Sequence, residues 1–384
     1  MRAAIRRKYF SNAPKLLWNI LARGKYDFRY DLMPIHVSGM SLKKRVNLLL
    51  SGLNLVYRHT RPWSWPIHSL VELTNYCNIS CHVCPTGQDL LRRKPANIDM
   101  GMLARIMDEM GPYLLTVSLW AWGESLLHPE FPEAVRILRQ HGVVPILSTN
   151  GQNLTDERVL EGLLKEPPAY LIVAIDGLTQ KTHAAFRTGA DLKTCLAGVE
   201  RLAELKRRRG LKKPVLHMRM IATKANQYEI GDAKAFAEKH GFDMLSLRTL
   251  SMKEAMSGPH SELLPELEEL RAYKYINNRM VKRNDFVCQN VFAFPAVYLD
   301  GTIPICEQDY NAEVTCGRFG NGVSFADIWF GRKARKIRKI VKHNMETFAA
   351  CRECPFVDRL SSTCSVSMFD FRDGGKRVDA EIFD

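Results

Sequence analysis

Long apolar runs are missing from this 384-residue chain. The best candidates, Leu48 to Val56 and Val143 to Leu147, are short and interrupted, whereas a helix that crosses a bilayer needs about 20 apolar residues. No spanning helix is expected, and the protein should be soluble or peripheral. Acidic residues are scarce in one place. Between Met1 and Trp65 only Asp27 and Asp31 oppose thirteen Lys or Arg, so this segment holds +11 of the net charge of +14. The remainder is nearly neutral, which argues against a global basic face and a nucleic-acid partner. The segment also lacks the clean apolar core and small-residue cleavage site of a signal peptide, so a cytoplasmic location is expected. Solenoid-type repeats are absent. At 46% hydrophobic and 25% charged the composition is ordinary for globular proteins, which excludes disordered, collagen-like and coiled-coil classes.

The basic segment, residues 1–65, contains a helical pattern. Leu42, Val46, Leu49, Leu50, Leu53 and Val56 fall near helical spacing, with Lys43, Lys44, Arg45 and Asn47 on other faces. Such a helix suits the surface of an anionic membrane. The commoner arrangement docks the apolar face on the following domain. No strand pair stands out in this segment.

Ten cysteines stand at positions 77, 81, 84, 195, 288, 306, 316, 351, 354 and 364. Cys77, Cys81 and Cys84 are separated by three and then two residues. Three thiolates on a tight loop can hold three irons of a four-iron, four-sulfur cluster and leave one iron open for chemistry. A closed zinc site needs a fourth ligand. His82 is cramped between two of the cysteines, and Cys195 lies on an apolar helical stripe with Leu192, Val199 and Leu202 that reads as core.

Beyond the basic segment, β-branched runs alternate with helical stretches. Strands are expected at Ser69 to Thr74, Leu115 to Trp120, Val144 to Ser148, Leu171 to Ile175, Leu216 to Ile221 and Met244 to Arg248. Helices are expected near Met102 to Met110, Pro132 to His141, Asp156 to Leu164, Leu192 to Arg209 and Glu229 to His240. This rhythm predicts an α/β fold, a partial six-unit barrel over residues 66–256. Residues just after barrel strands converge on one end and build the site. Here they are the Cys77 loop, Trp122 to Ser125, Ser148 to Gly151, and Asp176-Gly177. Residues 257–384 form a second, cysteine-bearing region, with a boundary near Ser257 to Leu264. It carries strand-like pieces at Ala296 to Leu299 and Thr302 to Cys306, then a basic helical stretch at Phe325 to Lys342.

From Pro66 to Cys364 these residues resemble the radical S-adenosylmethionine superfamily. The resemblance implies that Cys77, Cys81 and Cys84 bind the cluster whose open iron chelates S-adenosylmethionine. One electron then cleaves that cofactor to a 5′-deoxyadenosyl radical, which abstracts a substrate hydrogen. It implies cofactor contacts from Gly123 and Glu124 to the ammonium, from Ser148 and Asn150 to the carboxylate or ribose, and from Arg187. It also implies a low-potential donor of flavodoxin or ferredoxin type. The chain departs from the pattern at Val83, where an aromatic is usual, and at Trp122 and Ser125, where glycine and proline are usual. In the second region Cys288, Gly301 and Cys306 resemble the opening of a SPASM module. With Cys351 and Cys354 they resemble a twitch-like set for one auxiliary four-iron cluster. Cys316 and Cys364 are left over and are expected to pack as small apolar groups.

The function expected is oxidation of a carbohydrate, cyclitol or lipid-linked small molecule, with the auxiliary cluster accepting an electron. Arg248, Glu307 and Asp309 are the expected substrate-facing groups. Asp176 reads as a turn former, and His128, His183 and His260 as surface or capping groups. A peptide-modifying SPASM maturase is the alternative. Its leader-binding, winged-helix-like unit would need strands that residues 1–65 do not advertise. A non-catalytic metal protein that binds nucleic acid is the third class, and it leaves Gly123, Ser148 and Asn150 without a purpose.

Overall fold

The computed structural model describes residues 13–251, 262–277, 279–283, 286–361 and 363–381. The expected domain boundary falls largely outside them, as does His260. Chain order begins with helix α1 (13–21), strands β1 (Tyr26–Tyr30) and β2 (Met33–Val37), and α2 (Leu42–Tyr57). The barrel follows as β3 (His68–Val71), β4 (Ser80–Cys81), α3 (Met100–Met110), β5 (Thr116–Leu119), α4 (Phe131–Gln140) and β6 (Val144–Thr149). It continues through α5 (Glu157–Lys165), β7 (Tyr170–Ala174), α6 (Gln180–Phe186), β8 (Arg187–Thr188), α7 (Leu192–Arg208), β9 (Val215–Ala222), α8 (Ala233–Lys239) and β10 (Met244–Thr249).

All six expected strands form, and they pair in parallel in the order β3-β5-β6-β7-β9-β10. Their alternation explains the two large cores. Leu147, Leu171, Val173, Leu216 and Leu245 face the helices. Ile146, Ile172, Val215 and Met244 face the opposite side, as the two-residue period of a strand requires.

The region beyond residue 262 is not detached from this sheet. After the small hairpin β11 (Tyr275–Ile276) and β12 (Arg279–Met280) and helix α9 (Asn290–Ala293), strand β13 (Ala296–Val297) adds in parallel to β3. Strands β14 (Thr302–Pro304) and β15 (Thr315–Arg318) pair beside α10 (Phe325–Trp329) and α11 (Arg332–Asn344), so the single basic helix expected from Phe325 is two. Helix α12 (Ala349–Arg352) carries Cys351. Strand β16 (Ser365–Asp370) then runs antiparallel to β10 and pairs with β17 (Lys376–Asp379).

Two expectations about the basic segment are overturned. First, it does contain a strand pair: β1 and β2 form an antiparallel hairpin whose turn, Asp31-Leu32, has positive φ at both residues (49° and 68°). Asp-Leu is not the Asn-Gly or Asp-Gly signal of such turns, so the pattern conceals it. Met33, Ile35 and Val37 pack on Leu115, Ile146, Ile172 and Met244, so the hairpin fills the barrel. Its contacts run along the interior: the Tyr170 hydroxyl donates to Pro34 O, and the Tyr30 ring lies tilted against His68 with centroids 4.5 Å apart.

Second, α2 docks by its polar face. Lys44 Nζ donates to His141 O and Gly142 O at 2.8 Å each, Asn47 brackets Trp65, and Asn54 holds Trp63 N and Ser64. Burial pushes the Lys44 amine down to about 8. Leu42 and Val56 are left 70% and 74% exposed. The polar stripe at 44, 47, 51 and 54 has the same helical period as the apolar one, and periodicity alone does not say which face meets the protein.

Candidate active site between two cysteine groups

The Cys77 loop leaves β3 and is tied down locally. Residues Ser80 and Cys81 pair with Thr188 and Arg187 in a two-residue ladder, and Thr86 Oγ1 donates to Trp122 O. Gly87 passes so close that an added Cβ would lie 2.5 Å from Cys81 N. Burial pushes Cys81 up to about 11 and raises Cys77, and Arg187, 3.6 Å from Cys81 Sγ, works in the other direction. A metal deprotonates such thiols when it binds. A four-iron cluster takes its thiolates on separate irons, so these residues fit a cluster.

The expected cofactor contacts gather around this loop. Gly123 lies against β3's extension, where a Cβ would come within 2.2 Å of Thr74 O. Glu124 is buried, and burial raises its carboxyl. Its oxygens accept from Asn150 N at 2.7 Å and Leu126 N at 3.1 Å. Asn150 Nδ2 donates to Asn78 Oδ1 and lies 3.5 Å from Cys77 Sγ. Arg187 is held by Asp176 at 2.6 Å, with the other Asp176 oxygen accepting from Ile221 N. Asp176 is therefore the residue that orients Arg187. Ser148 sits on β6, one residue before Thr149. His128 and His183 are buried and so do not lie at the surface, but each accepts a nearby backbone N–H, as the capping alternative expected. Cys195 is core, as expected.

Cys288, Cys306, Cys351 and Cys354 line one cavity of about 900 Å³ that also reaches Val83, Trp120 and Trp122 beside the first loop. Burial raises the Cys288 and Cys306 thiols. Trp122, one of the departures from the family pattern, donates from Nε1 to Glu307 O at 2.9 Å and so joins the two regions. Arg248 and Glu307 line this cavity. Asp309 does not: its oxygens accept from Glu313 N and Val314 N and fix the loop. Cys316 packs among apolar groups. Cys364 differs from expectation, because it lines the cavity with its sulfur 2.8 Å from Arg359 Nη1.

Sequence reasoning missed Tyr30, Asp31, Arg219 and Arg359, all on the cavity wall. The hairpin delivers Asp31 to Arg219 at 3.0 Å and Arg248 at 4.0 Å, while Ser365 N donates to its other oxygen. Burial favours the neutral acid, but the two guanidiniums and this hydrogen bond outweigh it and hold the carboxyl well below its usual range. Burial also pushes the Tyr30 phenol up to about 12 and Arg219 down to about 10. A lone arginine in the middle of the apolar run Val215–Ala222 was the available signal.

Residues 71–224 match the Radical SAM superfamily, and residues 288–355 match SPASM, an iron–sulfur cluster-binding domain. A cofactor-modifying protein for tungsten-containing aldehyde ferredoxin oxidoreductase from Pyrococcus furiosus is 25% identical over 75% of this chain and 87% of its own length. An AdoMet-dependent heme synthase from Methanosarcina barkeri is 32% identical over 34% of this chain and 37% of its own. Among solved structures, Streptococcus suis SuiB bound to S-adenosylmethionine superposes with a TM-score of 0.56 at 14% identity, covering 78% of this chain and 74% of that one. At that identity the likeness is one of fold.

Proposed function

Because the chain belongs to the radical S-adenosylmethionine superfamily and carries a SPASM domain, we propose that it oxidises a small carbohydrate-like, cyclitol or lipid-linked substrate. When bound, the cluster at Cys77, Cys81 and Cys84 with S-adenosylmethionine supplies a 5′-deoxyadenosyl radical. The observation that supports the oxidation is the cavity that Cys288, Cys306, Cys351 and Cys354 line together with Val83 of the first cysteine loop and Trp122. In this reading the four thiolates close an auxiliary cluster with no open iron, and a substrate in the cavity faces it as an electron acceptor.

A carbinol carbon that has lost a hydrogen atom needs to lose only one proton and one electron to become a ketone. We assign the proton to Glu307, a reading supported by its position beside Cys306 on the cavity wall. Asp31 is the poorer base because its two arginines stabilise the ionised form. A donor of flavodoxin or ferredoxin type starts each turnover. The peptide reading has less support, since the strand pair in the basic segment fills the barrel and is not free to bind a leader.

Replacing Cys351 and Cys354 with Ala is expected to lower iron from about eight to about four per chain while 5′-deoxyadenosine still forms. Substrate oxidation should be lost. Unchanged iron with loss of bound zinc would overturn the electron-acceptor role.

A further inference from the structure

We propose that the cavity holds an oxyanion-binding pocket, so the substrate carries a phosphate or carboxylate. This rests on the reading that the cavity is the substrate site. Arg219, Arg248 and Arg359 all reach it, and Asp31 is the carboxylate paired with the first two. Buried donors in folded proteins nearly always have partners. Here several do not. Among the described residues Arg219 Nε, Arg359 Nε, Thr249 Oγ1 and Ser251 Oγ are buried without a hydrogen-bond partner, and all four residues line the cavity.

Arg219 is only 8% exposed and Arg359 7%, so bulk water does not satisfy them. A group that meets two guanidinium forks and two hydroxyls must be rich in acceptors and negatively charged. With Arg283 the cavity wall carries four arginines, which Asp31, Glu307 and Asp358 oppose, so the lining keeps one positive charge. A neutral sugar hydroxyl would leave that charge uncompensated.

The test is thermal unfolding of the full chain with clusters in place, titrated at constant ionic strength with inorganic phosphate in one arm and succinate in the other. One anion should raise the unfolding midpoint saturably, and its identity separates phosphate from carboxylate. Arg219→Gln and Arg359→Gln should each raise the half-saturating concentration about tenfold or more. If Arg219→Gln fails to fold, Arg219→Lys keeps the charge, loses the fork and should still weaken binding. No saturable effect up to tens of millimolar, or equal half-saturation in the wild type and the variants, overturns the pocket. Because the readout needs no turnover, anion binding without 5′-deoxyadenosine formation would sink the enzymatic reading instead.

A separate observation carries a second site. Of the sixteen large hydrophobic side chains exposed among the described residues, ten lie between Leu16 and Trp63. Nine of them occupy α1 and the outward stripe of α2, which adjoin through Arg45 Nη1 to Leu21 O, and Trp63 follows just beyond α2. Lys15, Arg23, Lys25, Lys43 and Arg61 are exposed among them. We infer that this face rests on an anionic lipid surface, because an apolar stripe rimmed by cations matches acyl chains below and headgroups above.

The full chain should co-sediment with vesicles of equal parts phosphatidylglycerol and phosphatidylcholine, and far less with phosphatidylcholine alone. A Leu42→Ser, Val56→Ser double variant, altered only at exposed positions, should bind about tenfold more weakly. Equal binding of variant and wild type overturns the inference. So does a concentration-dependent dimer that the same variant abolishes, which would make a second copy the occupant.

Discussion

A triple Cys77→Ala, Cys81→Ala, Cys84→Ala variant is expected to form no 5′-deoxyadenosine from S-adenosylmethionine under strong reductant, and to hold about four fewer irons per chain. The loop should survive the change, since its anchors are the β4–β8 ladder, the Thr86 hydroxyl and the close pass of Gly87. None of these uses a thiol. His82 is a poor substitute ligand because it directly follows the strand Ser80–Cys81 that pairs with Thr188 and Arg187, and its ring meets the Thr188 hydroxyl at 3.3 Å. Cys195 is walled into the helix-side core. Iron and sulfide analysis with chromatography of the cleaved cofactor checks the expectation. Cleavage at the wild-type rate in the triple variant would remove the assignment.

This site was legible because its chemistry is local. Three cysteines within eight residues need no tertiary information to be seen together, and post-strand positions collect at one barrel end by topology. The six barrel strands were legible for a similar reason, each being a short apolar run bounded by turn residues. What escaped was set by distant partners. Asp31 gains its meaning only when the hairpin threads the barrel and meets Arg219 and Arg248, which lie some 190 and 220 positions later. The inverted docking of α2 was hidden because Lys44, Asn47 and Asn54 find acceptors and donors in other segments, whereas the apolar stripe suggested burial by composition alone. Asp309 failed as a substrate group for the opposite reason: proximity to Cys306 in sequence turned into backbone capping in space.

Replacing Asp31 with Ala should destabilise the folded protein by about 3–5 kcal/mol, the range for breaking one partner out of a buried ion cluster. The variant leaves Arg219 and Arg248 facing each other in a buried site with no anion, and it also removes the acceptor for Ser365 N at the start of β16. Arg219 is buried, but Asp31 and Arg248 are partly exposed on the cavity wall, so the loss should shrink only in part as salt is raised. The pH dependence has a fixed sign. The folded-state carboxyl of Asp31 lies below its unfolded value, so its contribution is complete above about pH 4 and is lost as pH falls toward the folded-state value. The gap between wild type and variant should therefore stay constant from pH 7 to about pH 4 and shrink below it. Anaerobic urea midpoints with clusters intact read the gap. A second substitution, Arg248→Leu, made on the Asp31→Ala background should recover part of the loss by removing one of the stranded charges. An Asp31→Ala protein as stable as the wild type, or a double variant less stable than the single one, would show that the hairpin tip is held by its apolar packing and not by the ion cluster.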